Sequence, residues 1–385
     1  MTNALPSSCI CLALLFIAGC AARQPIVPAA AILPTVGTVA LQQSATTPAN
    51  YQLLDIGVMV FANEPRPDDG LKFGEWVFAE VRENERHYLP YALRTTLVDS
   101  NQWGAVRVLP QTDPSVDLNI VGTVLDSDGS ILQLHVKATD STGRRWLDQV
   151  YTDTTAEEDF PESTRFNDSN RFDARSFVDP FQDIYDQIAN DLLATRNKLN
   201  AAELVEIQRV SRMVYANELA PESFAQMLQR DVSGRLQLSS LPADDDPMLL
   251  RVAEMRLRHH LFIDTVDEYY QALYEDMQAT YIIWRHYSFE QLQEEEAARD
   301  RAFRQEQVSS TSGFLTLTQR YDRFRWSKIY EQEFRELASG FNREVAPAIL
   351  ELNKQVHGLS GTMEEQYLQW RRILRQLFTL EGGAL

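Results

Sequence analysis

The feature that most constrains the fold is a long helical pattern in the C-terminal half of the chain. Apolar residues recur there at steps of three and four, which is the spacing of one face of an α-helix. The residues of this stripe are Val252, Met255, His259, Phe262, Val266, Tyr269, Leu273, Met277, Tyr281 and Trp284. A stripe of this kind has to be buried against another element. We therefore expect further long helices that pack against it.

Two further stripes supply such helices. One covers residues 330–356 and is interrupted by a kink at Pro347, and the other covers residues 363–377. Residues 290–307 are nearly all charged or glutamine, which is typical of a solvated helix face or a partner contact. The stripes predict an antiparallel helical bundle with coiled-coil-like packing over residues 180–385.

Five helix starts can be recognised in the same part of the chain. Each has a capping residue, a proline at the first helical position, or a cap with an acid three residues later. Such residues satisfy or remove the backbone N–H groups that are exposed where a helix begins. The starts are Asp179-Pro180, Asn200 with Glu203, Ala220-Pro221, Asp246-Pro247, and Thr362 with Glu365.

The N-terminal part has the residue pattern of a sheet with one helix. Residues 53–62 form a continuous apolar run that is typical of a buried strand. A helix is expected over residues 75–101, which Pro90 either kinks or restarts. A short strand is expected over residues 105–109.

A three-stranded meander is predicted next. Asp128-Gly129 lies between two alternating runs and predicts a hairpin with a type I′ turn. A second turn at residues 140–143 leads into a strand over residues 146–151. The order strand, helix, strand and meander predicts a sheet with a helix packed on one face.

The predicted fold class is α+β, in which a small α/β sheet domain is followed by an antiparallel helical bundle with long helices. The sheet domain is placed at residues 51–155, a polar connection at 156–179 and the bundle at 180–385. A chain of 385 residues is long enough for two such domains.

The N-terminus has the pattern of an export signal. The apolar run at residues 10–19 is too short to cross a bilayer, which needs about 20 residues. Residues 1–19 fit a signal peptide that is removed, although residues 1–9 depart from the pattern because they contain no Lys or Arg. Residues 17–20, Ile-Ala-Gly-Cys, resemble the lipobox of bacterial lipoproteins.

This resemblance implies a lipid anchor on Cys20, with fatty acyl chains such as palmitate. Ala21 follows the cysteine where retention in the inner membrane usually shows Asp, which implies the outer membrane and its periplasmic face. Residues 20–50, rich in Ala, Pro, Thr and Gln after the cysteine, are predicted to form the anchor and a tether.

Composition argues against several classes of function. The formal net charge of −19 argues against nucleic acid as a partner, because phosphate binding needs a basic surface. Cys9 and Cys11 lie in the predicted signal peptide and Cys20 carries the lipid, so no thiol is left in the mature chain. Disulfides, thiolate catalysis and cysteine-based zinc sites are therefore excluded. No cofactor is expected.

A wider resemblance covers residues 53–153. It is carried by the sequence Tyr-Leu-Pro-Tyr-Ala-Leu-Arg at 88–94, by an apolar strand after Trp103-Gly104, and by Asp-Leu-Asn-Ile-Val-Gly-Thr-Val at 117–124. The pattern resembles periplasmic TolB N-terminal domains, CsgG-like assembly lipoproteins and auxiliary lipoproteins of ABC-type transporters. The resemblance implies a structural or assembly role, since those families are mostly parts of envelope machines.

The best candidate for a metal site is the set His260, Asp264 and Glu268, which share one helix face beside His259 and Asp267. Their spacing matches neither the Glu-x-x-His pair of di-iron bundles nor the His-Glu-x-x-His motif of zinc proteases. The favoured interpretation is that His259 is hydrogen-bonded in the bundle seam and that His260 lies among solvated acids. No metal site is predicted.

Paired carboxylates for glycan hydrolysis need a cleft and one raised pKa. The acids that the sheet domain could offer are Asp55, Glu75, Glu80, Asp126 and Asp128. None has a recognisable catalytic context, and 55 acids make chance pairs unavoidable. No catalytic residue is predicted.

The predicted bundle is dense in aromatic residues, which suggests carbohydrate or lipid contact but is more often a property of a core. These residues are Tyr269, Tyr270, Tyr274, Tyr281, Trp284, Tyr287, Tyr321, Phe324, Trp326 and Tyr330.

The sequence leaves two functions open. The first is a non-enzymatic outer-membrane lipoprotein that acts as a scaffold or accessory subunit of an envelope assembly, transport or secretion complex. It would bind the membrane through Cys20 and protein partners through its helices, and a homo-oligomer stays open. The alternative is a glycan- or lipid-handling protein, either a hydrolase or a subunit that binds an acyl ligand in the helical domain. A pore of the CsgG type is disfavoured, because no long amphipathic strands follow Tyr151.

Overall fold

A computed structural model describes residues 34–64, 79–160, 178–240, 246–306, 348–352 and 355–382. The described residues belong to one compact unit that begins at Pro34. The predicted signal peptide and Cys20 lie outside the described residues.

The central sheet is mixed. Its strands are β1 (Ile56–Met59), β2 (Ala62–Asn63), β3 (Val106–Leu109), β4 (Leu118–Ser127), β5 (Ile131–Asp140) and β6 (Arg145–Thr154). The main strand order is β3-β1-β4-β5-β6, and β2 pairs with β4. Strand β1 is parallel to β3 and β4, whereas β4, β5 and β6 form an antiparallel meander. The predicted order of strands, helix and meander is therefore confirmed.

Helix α1 (Ala79–Asp99) packs against this sheet and contains Pro90 within one continuous helix. A proline at this position leaves the carbonyl four residues earlier without its helical donor. That carbonyl belongs to Arg86, and the backbone N–H of Phe61 donates to it at 2.9 Å. The chain between β1 and β2 therefore supplies the missing hydrogen bond, which removes the need for a restart at Pro90.

The β4–β5 hairpin forms as predicted, but its turn is not of type I′, because neither Asp128 nor Gly129 has a positive φ. Oδ1 of Asp128 instead accepts the N–H groups of Ser130 and Ile131 at 2.7 and 2.8 Å. A Cβ at Gly129 would lie 2.3 Å from the backbone of Ser288 and Phe289. Glycine is required here by the close approach of a helix. The following turn does need positive φ, which Gly143 adopts at 87°.

The helices that follow are α2 (Gln182–Arg196), α3 (Ala201–Leu219), α4 (Pro221–Phe224), α5 (Pro247–Glu306) and α6 (Met363–Gly382). The starts predicted at Asn200, Ala220-Pro221, Asp246-Pro247 and Thr362 are confirmed, because helices begin at Ala201, Pro221, Pro247 and Met363. Asn200 and Glu203 form the expected capping box. Helix α2 begins two residues after the predicted Pro180. Within the described parts of the chain, no helix is apolar enough over sufficient length to span a bilayer.

Two short hairpins complete the described elements. The first pairs β7 (Leu228–Arg230) with β8 (Leu236–Leu238), and the second pairs β9 (Ala348–Leu352) with β10 (Gln355–Leu359). The second hairpin corrects the sequence analysis, which continued a helix through residues 349–356. Apolar residues at 349, 352 and 356 fit a helical period, but the preceding Pro347 cannot donate within a helix.

Sheet and helices share their apolar cores, and the predicted class α+β is confirmed. One cluster joins the sheet to α1, α2 and the middle of α5, around residues such as Ile120, Tyr185 and Trp284. A second cluster joins β3 to α3, the first half of α5 and α6, around Val108 and Met255. Helix α5 therefore connects both clusters.

The predicted tether begins to contact the body within its own length. Residues 34–49 contain no regular element, but they run along the surface next to α2. Val36 N–H donates to the Thr152 carbonyl at 2.8 Å, and Val39 N–H donates to Oδ1 of Asp183 at 2.8 Å. The Asn190 side chain also binds this segment, because its Oδ1 accepts the N–H of Gln42 and its Nδ2 donates to the Ala40 carbonyl. These contacts dock residues 36–42 onto the body.

Candidate functional site: a groove between helices α3 and α5

The first turns of α5 expose an apolar row. Leu250, Leu257 and Leu261 are 61%, 62% and 60% exposed, and Ala253 between them is also exposed. Their spacing of three, four and four residues places them on one side of the helix. The opposite side is buried, with Met255 in the second cluster. This stretch of α5 therefore has a core face and a separate apolar face that none of the described residues covers.

A cavity lies beside this row, where α3 passes α5. Its volume is about 480 Å³, which is within the range of ligand-binding pockets. Most of its lining is apolar. The lining residues are Arg212 and Met213 of α3 together with Leu249, Leu250, Val252, Ala253, Arg256, Leu257 and His260 of α5. We call the cavity and the adjoining leucine row the α3–α5 groove.

All ionisable side chains that line the cavity are basic. Arg212 is exposed, and no described residue forms an ion pair with it. Arg256 is held in place, since its Nε and Nη2 donate to the Ser115 carbonyl at 3.1 and 2.6 Å. The cavity is thus a local basic site in a chain of net charge −19.

His260 contributes polarity without charge. Its Nε2 lies 3.3 Å from the Ser115 carbonyl, which is an acceptor, so this nitrogen carries the proton. Burial, together with the charges of Arg256 and Arg107, lowers the pKa of His260 to about 4. At neutral pH the positive charge of the groove therefore comes from its arginines. The expectation that His260 lies among solvated acids is met only in part, because Arg256 and Arg107 as well as Asp55 act on it.

Two carboxylates behind the groove, those of Asp55 and Asp117, accept hydrogen bonds from backbone N–H groups. Asp55 N–H donates to Oδ2 of Asp117 at 2.9 Å, and Ala105 N–H donates to Oδ1 of Asp55 at 3.0 Å. Nη2 of Arg256 approaches Oδ2 of Asp55 to 3.9 Å. Burial raises the pKa of Asp117 to about 6, and the nearby charge of Asp55 also raises it. Asp117 is 4% exposed, and through these hydrogen bonds the pair secures the segments that lead into β1, β3 and β4.

His259 belongs to a buried network under the same part of α5. Its Nε2 lies 2.6 Å from Oδ2 of Asp113, and Nε1 of Trp370 donates to its Nδ1 at 3.2 Å. Because an indole N–H can only donate, Nδ1 is the acceptor and Nε2 carries the proton. The Tyr367 hydroxyl and Ser115 N–H also donate to Asp113. Burial alone would raise the pKa of Asp113, but His259, Ser115 and Tyr367 hold that pKa well below its usual range.

The network joins the loop after β3 to α5 and α6 through the carboxylate of Asp113. His259 is buried, with its side chain 1% exposed, and it has the predicted hydrogen bond. No sequence signal pointed to Asp113 as the partner, because it lies 146 residues away in a loop.

The predicted metal candidates are not brought together. Asp264 pairs with Nε of Arg107 at 2.6 Å, and Glu268 is exposed. Asp267 is buried and accepts from Val108 N–H and from Arg94, both at 2.7 Å. Among the residues that the structure describes, no group of three His, Cys, Asp or Glu side chains could hold a metal ion.

The other carboxylate candidates have local roles or lie outside the description. Asp126 accepts the N–H of Ser127 at 2.8 Å, and Asp128 forms the β4–β5 turn. Glu75 and the side chain of Glu80 lie outside the described residues. None of the described acids in this set lines the groove. Asp55 is connected to it only indirectly, because its Oδ2 lies 3.9 Å from Nη2 of the lining residue Arg256.

The described aromatic residues of α5 serve mainly as core. Tyr270, Tyr281 and Trp284 are at most 1% exposed, and Tyr274 stacks on Tyr88 with ring centroids 4.7 Å apart. Tyr269 is half-buried. Tyr287 has no described side chain, and Tyr321, Phe324, Trp326 and Tyr330 lie outside the described residues.

The sequence analysis did not single out the groove. A signal existed, because Leu250, Ala253, Leu257 and Leu261 form a second apolar stripe that is offset from the main stripe of α5. A helix with two apolar stripes has more apolar surface than one neighbour can cover. Recognising the uncovered stripe nevertheless requires knowing where α3 and α6 pack.

Comparisons with known proteins assign no family. The chain matches no protein-family model, and no curated protein matches it. Among solved structures it is similar to a Xanthomonas campestris protein of the DUF330 family, with 13% identity over 43% of this chain and 94% of that chain. The TM-score of that match is 0.22, which is too low to establish a shared fold.

Proposed function

We propose that this chain is a non-enzymatic lipoprotein of the outer membrane that serves as an accessory or scaffold subunit of an envelope complex. In this proposal Cys20 carries the lipid, the sheet with its helices forms the periplasmic body, and the α3–α5 groove binds a protein partner. The predicted antiparallel bundle of residues 180–385 is the partner-binding module.

The observation that carries the proposal is the apolar row on α5. Three leucines about 60% exposed on one helix face form a patch of the kind that marks interaction sites. The other side of the same helix segment is fully packed, so the exposed row is not needed to hold the helix in place. The export pattern of residues 10–20 supports the location in the envelope.

Two substitutions test the two halves of the proposal in cells. With Cys20→Ala we expect the chain to leave the membrane fraction, because the acyl chains supply the anchoring free energy at about 0.8 kcal/mol per buried CH₂. With Leu257→Asp we expect membrane attachment to persist while chemically crosslinked complexes are lost. Val121, an exposed apolar residue on β4, provides the matched control as Val121→Asp.

Unchanged fractionation of the Cys20→Ala variant would contradict the anchor. Complexes that survive Leu257→Asp, or that Val121→Asp also removes, would contradict the groove as the partner site.

The cavity itself favours a second candidate function, the binding of an acyl ligand. Its volume of about 480 Å³, its apolar lining and the arginine at its edge suit a fatty chain with an anionic head group. This candidate would be supported by a fluorescent fatty acid that binds the purified chain but does not bind the Leu257→Asp variant.

A further inference from the structure

We propose that the partner element bound by the α3–α5 groove is an amphipathic α-helix with acidic flanks, presented by another envelope protein. This inference rests on the proposed function and specifies the chemistry of the partner. It follows from the shape of the apolar row, its length and the charge around it.

The shape of the row favours a helix over an extended segment. Leu250, Ala253, Leu257 and Leu261 repeat with the three-and-four spacing that two helices use when their side chains interdigitate. Recognition of an amphipathic helix by an apolar groove uses anchors at the same spacing. The cavity between α3 and α5 adds a recess that one large apolar anchor of the partner can enter.

The length of the row favours a helix over a small amphiphile. From Leu250 to Leu261 the row spans about 16 Å, or three helical turns, at ~1.5 Å per residue. Leu250 and Leu257 line the cavity, but Leu261 lies beyond it and is 60% exposed. A ligand confined to the cavity would leave Leu261 in water, whereas a parallel or antiparallel helix would cover the whole row.

The charge around the groove selects an acidic partner. The ionisable residues of the cavity lining are Arg212, Arg256 and His260, and no acid is among them. Of the acids nearest the row, Glu254 pairs with Arg258, Asp264 pairs with Arg107, and Asp246 accepts the N–H of Met248 at the start of α5. Arg256 has Asp55 3.9 Å away, which leaves Arg212 as the charge for a partner. Arg212 has no ionic partner among the described residues and is exposed. A carboxylate on the partner would pair with Arg212 at the edge of the contact, where charge sets specificity and association rate.

The test uses two designed peptides and the purified full chain. Each peptide is a three-heptad helix with leucines at the a and d positions, and the flanking positions carry glutamate in one and lysine in the other. Fluorescence anisotropy should show the glutamate peptide binding about tenfold more tightly than the lysine peptide at low salt. The difference should shrink at 1 M salt, where the Debye length is about 3 Å.

Substitution of Arg212 provides the decisive comparison. Arg212→Glu should remove the preference for the glutamate peptide, while Arg372→Glu should leave it unchanged. Arg372 is a matched control because it is an exposed arginine on α6 outside the lining of the groove. Both positions are on the surface, and circular dichroism is used to check that each variant is folded.

Three results would overturn the inference. These are equal binding of both peptides, a preference that Arg212→Glu leaves intact, and binding of a fluorescent fatty acid or of a second copy of the chain in place of either peptide. If the peptides fail but Leu257→Asp still abolishes complexes in cells, the inference fails and the proposed function stands. If the complexes persist as well, both fail.

Discussion

The first and middle parts of α5 use the same helix in opposite ways. Around Arg285, the helix is enclosed by the sheet, α1 and α2, and even charged groups are withdrawn from water. Around Leu257, the described residues cover only one side of the helix, and the leucines of the other side are exposed. The middle part therefore fixes the helix to the body, which allows the first part to present an apolar surface without loss of the fold.

The difference is clearest in how each part treats polar groups. Arg285 and Glu85 are both 0% exposed and pair at 2.8 Å, and the Tyr281 and Ser127 hydroxyls donate to the same carboxylate oxygen. Arg212 in the groove is exposed and has no ionic partner among the described residues. A buried pair is expensive to break, whereas an exposed charge is available for a partner.

The largest expected effect comes from breaking the buried pair. Glu85→Leu should lower the free energy of unfolding by about 3–5 kcal/mol, because Arg285 is left as an uncompensated buried charge. Urea denaturation measures the change. Glu83→Leu, at an exposed position of the same helix, should change stability by no more than about 0.5 kcal/mol. Comparable losses for both variants would show that the pair does not fix α5.

The next effect depends on pH and concerns Asp117. Its folded pKa of about 6 is above the unfolded value of about 3.9, so the folded state holds the proton more tightly between these values. The contribution of Asp117 to the free energy of unfolding is therefore present at pH 4 and is lost as the pH rises through 6. Asp117→Asn should therefore be more stable than the parent chain by up to about 3 kcal/mol at pH 8 and gain nothing at pH 4.

Thermal or urea unfolding at both pH values measures this difference. Asp276→Asn, at an exposed position of α5, is the control and should follow the parent chain within about 0.5 kcal/mol. A gain for Asp117→Asn that is equal at both pH values would contradict the assigned charge state.

A smaller effect is expected from the network under the groove. Tyr367→Phe removes a hydroxyl that donates to the buried Asp113 carboxylate and should cost about 2 kcal/mol, since hydrogen bonds to charged groups contribute about 1.5–3. Tyr269→Phe is the control, because no described residue hydrogen-bonds to its half-buried hydroxyl. If urea denaturation showed equal losses of unfolding free energy for both variants, Asp113 would not be the link between α5 and α6.

The smallest effect on stability is expected in the groove. Leu257→Asp places a charge on a side chain that is 62% exposed, so the free energy of unfolding should change by no more than about 0.5 kcal/mol. Leu257→Asp should nevertheless abolish binding of the glutamate peptide. A loss of several kcal/mol in the unfolding assay would mean that the row is part of the core.

Sequence reasoning succeeded where the determining contacts are local. The Asn200–Glu203 capping box, the meander and the helical stripe that begins at Val252 follow from spacing within one element. It failed at residues 348–359, because apolar residues at 349, 352 and 356 satisfy a helical period as well as they satisfy a hairpin. The local sequence pattern therefore does not decide between a helix and a hairpin.

The candidate site depends on contacts that sequence spacing does not reveal. Arg212 and Leu257 line one cavity only because α3 and α5 pack together, and Asp113 pairs with His259 across 146 residues. Packing of the neighbouring described elements decides which of the two apolar stripes of α5 they cover and which they leave exposed. The ion pair of Arg107 of β3 with Asp264, one of the candidates weighed for a metal site, is likewise a contact that sequence spacing does not reveal.

The central claim, that the uncovered stripe of α5 is a partner surface, is tested most directly by photo-crosslinking in cells. A photoreactive amino acid is placed at Leu257 or at Val98, an exposed apolar position on α1. The account predicts a discrete protein adduct from position 257, mapped by mass spectrometry to an acidic amphipathic segment of another envelope protein, and none from position 98. Adducts with lipid only, or the same adducts from both positions, would contradict it.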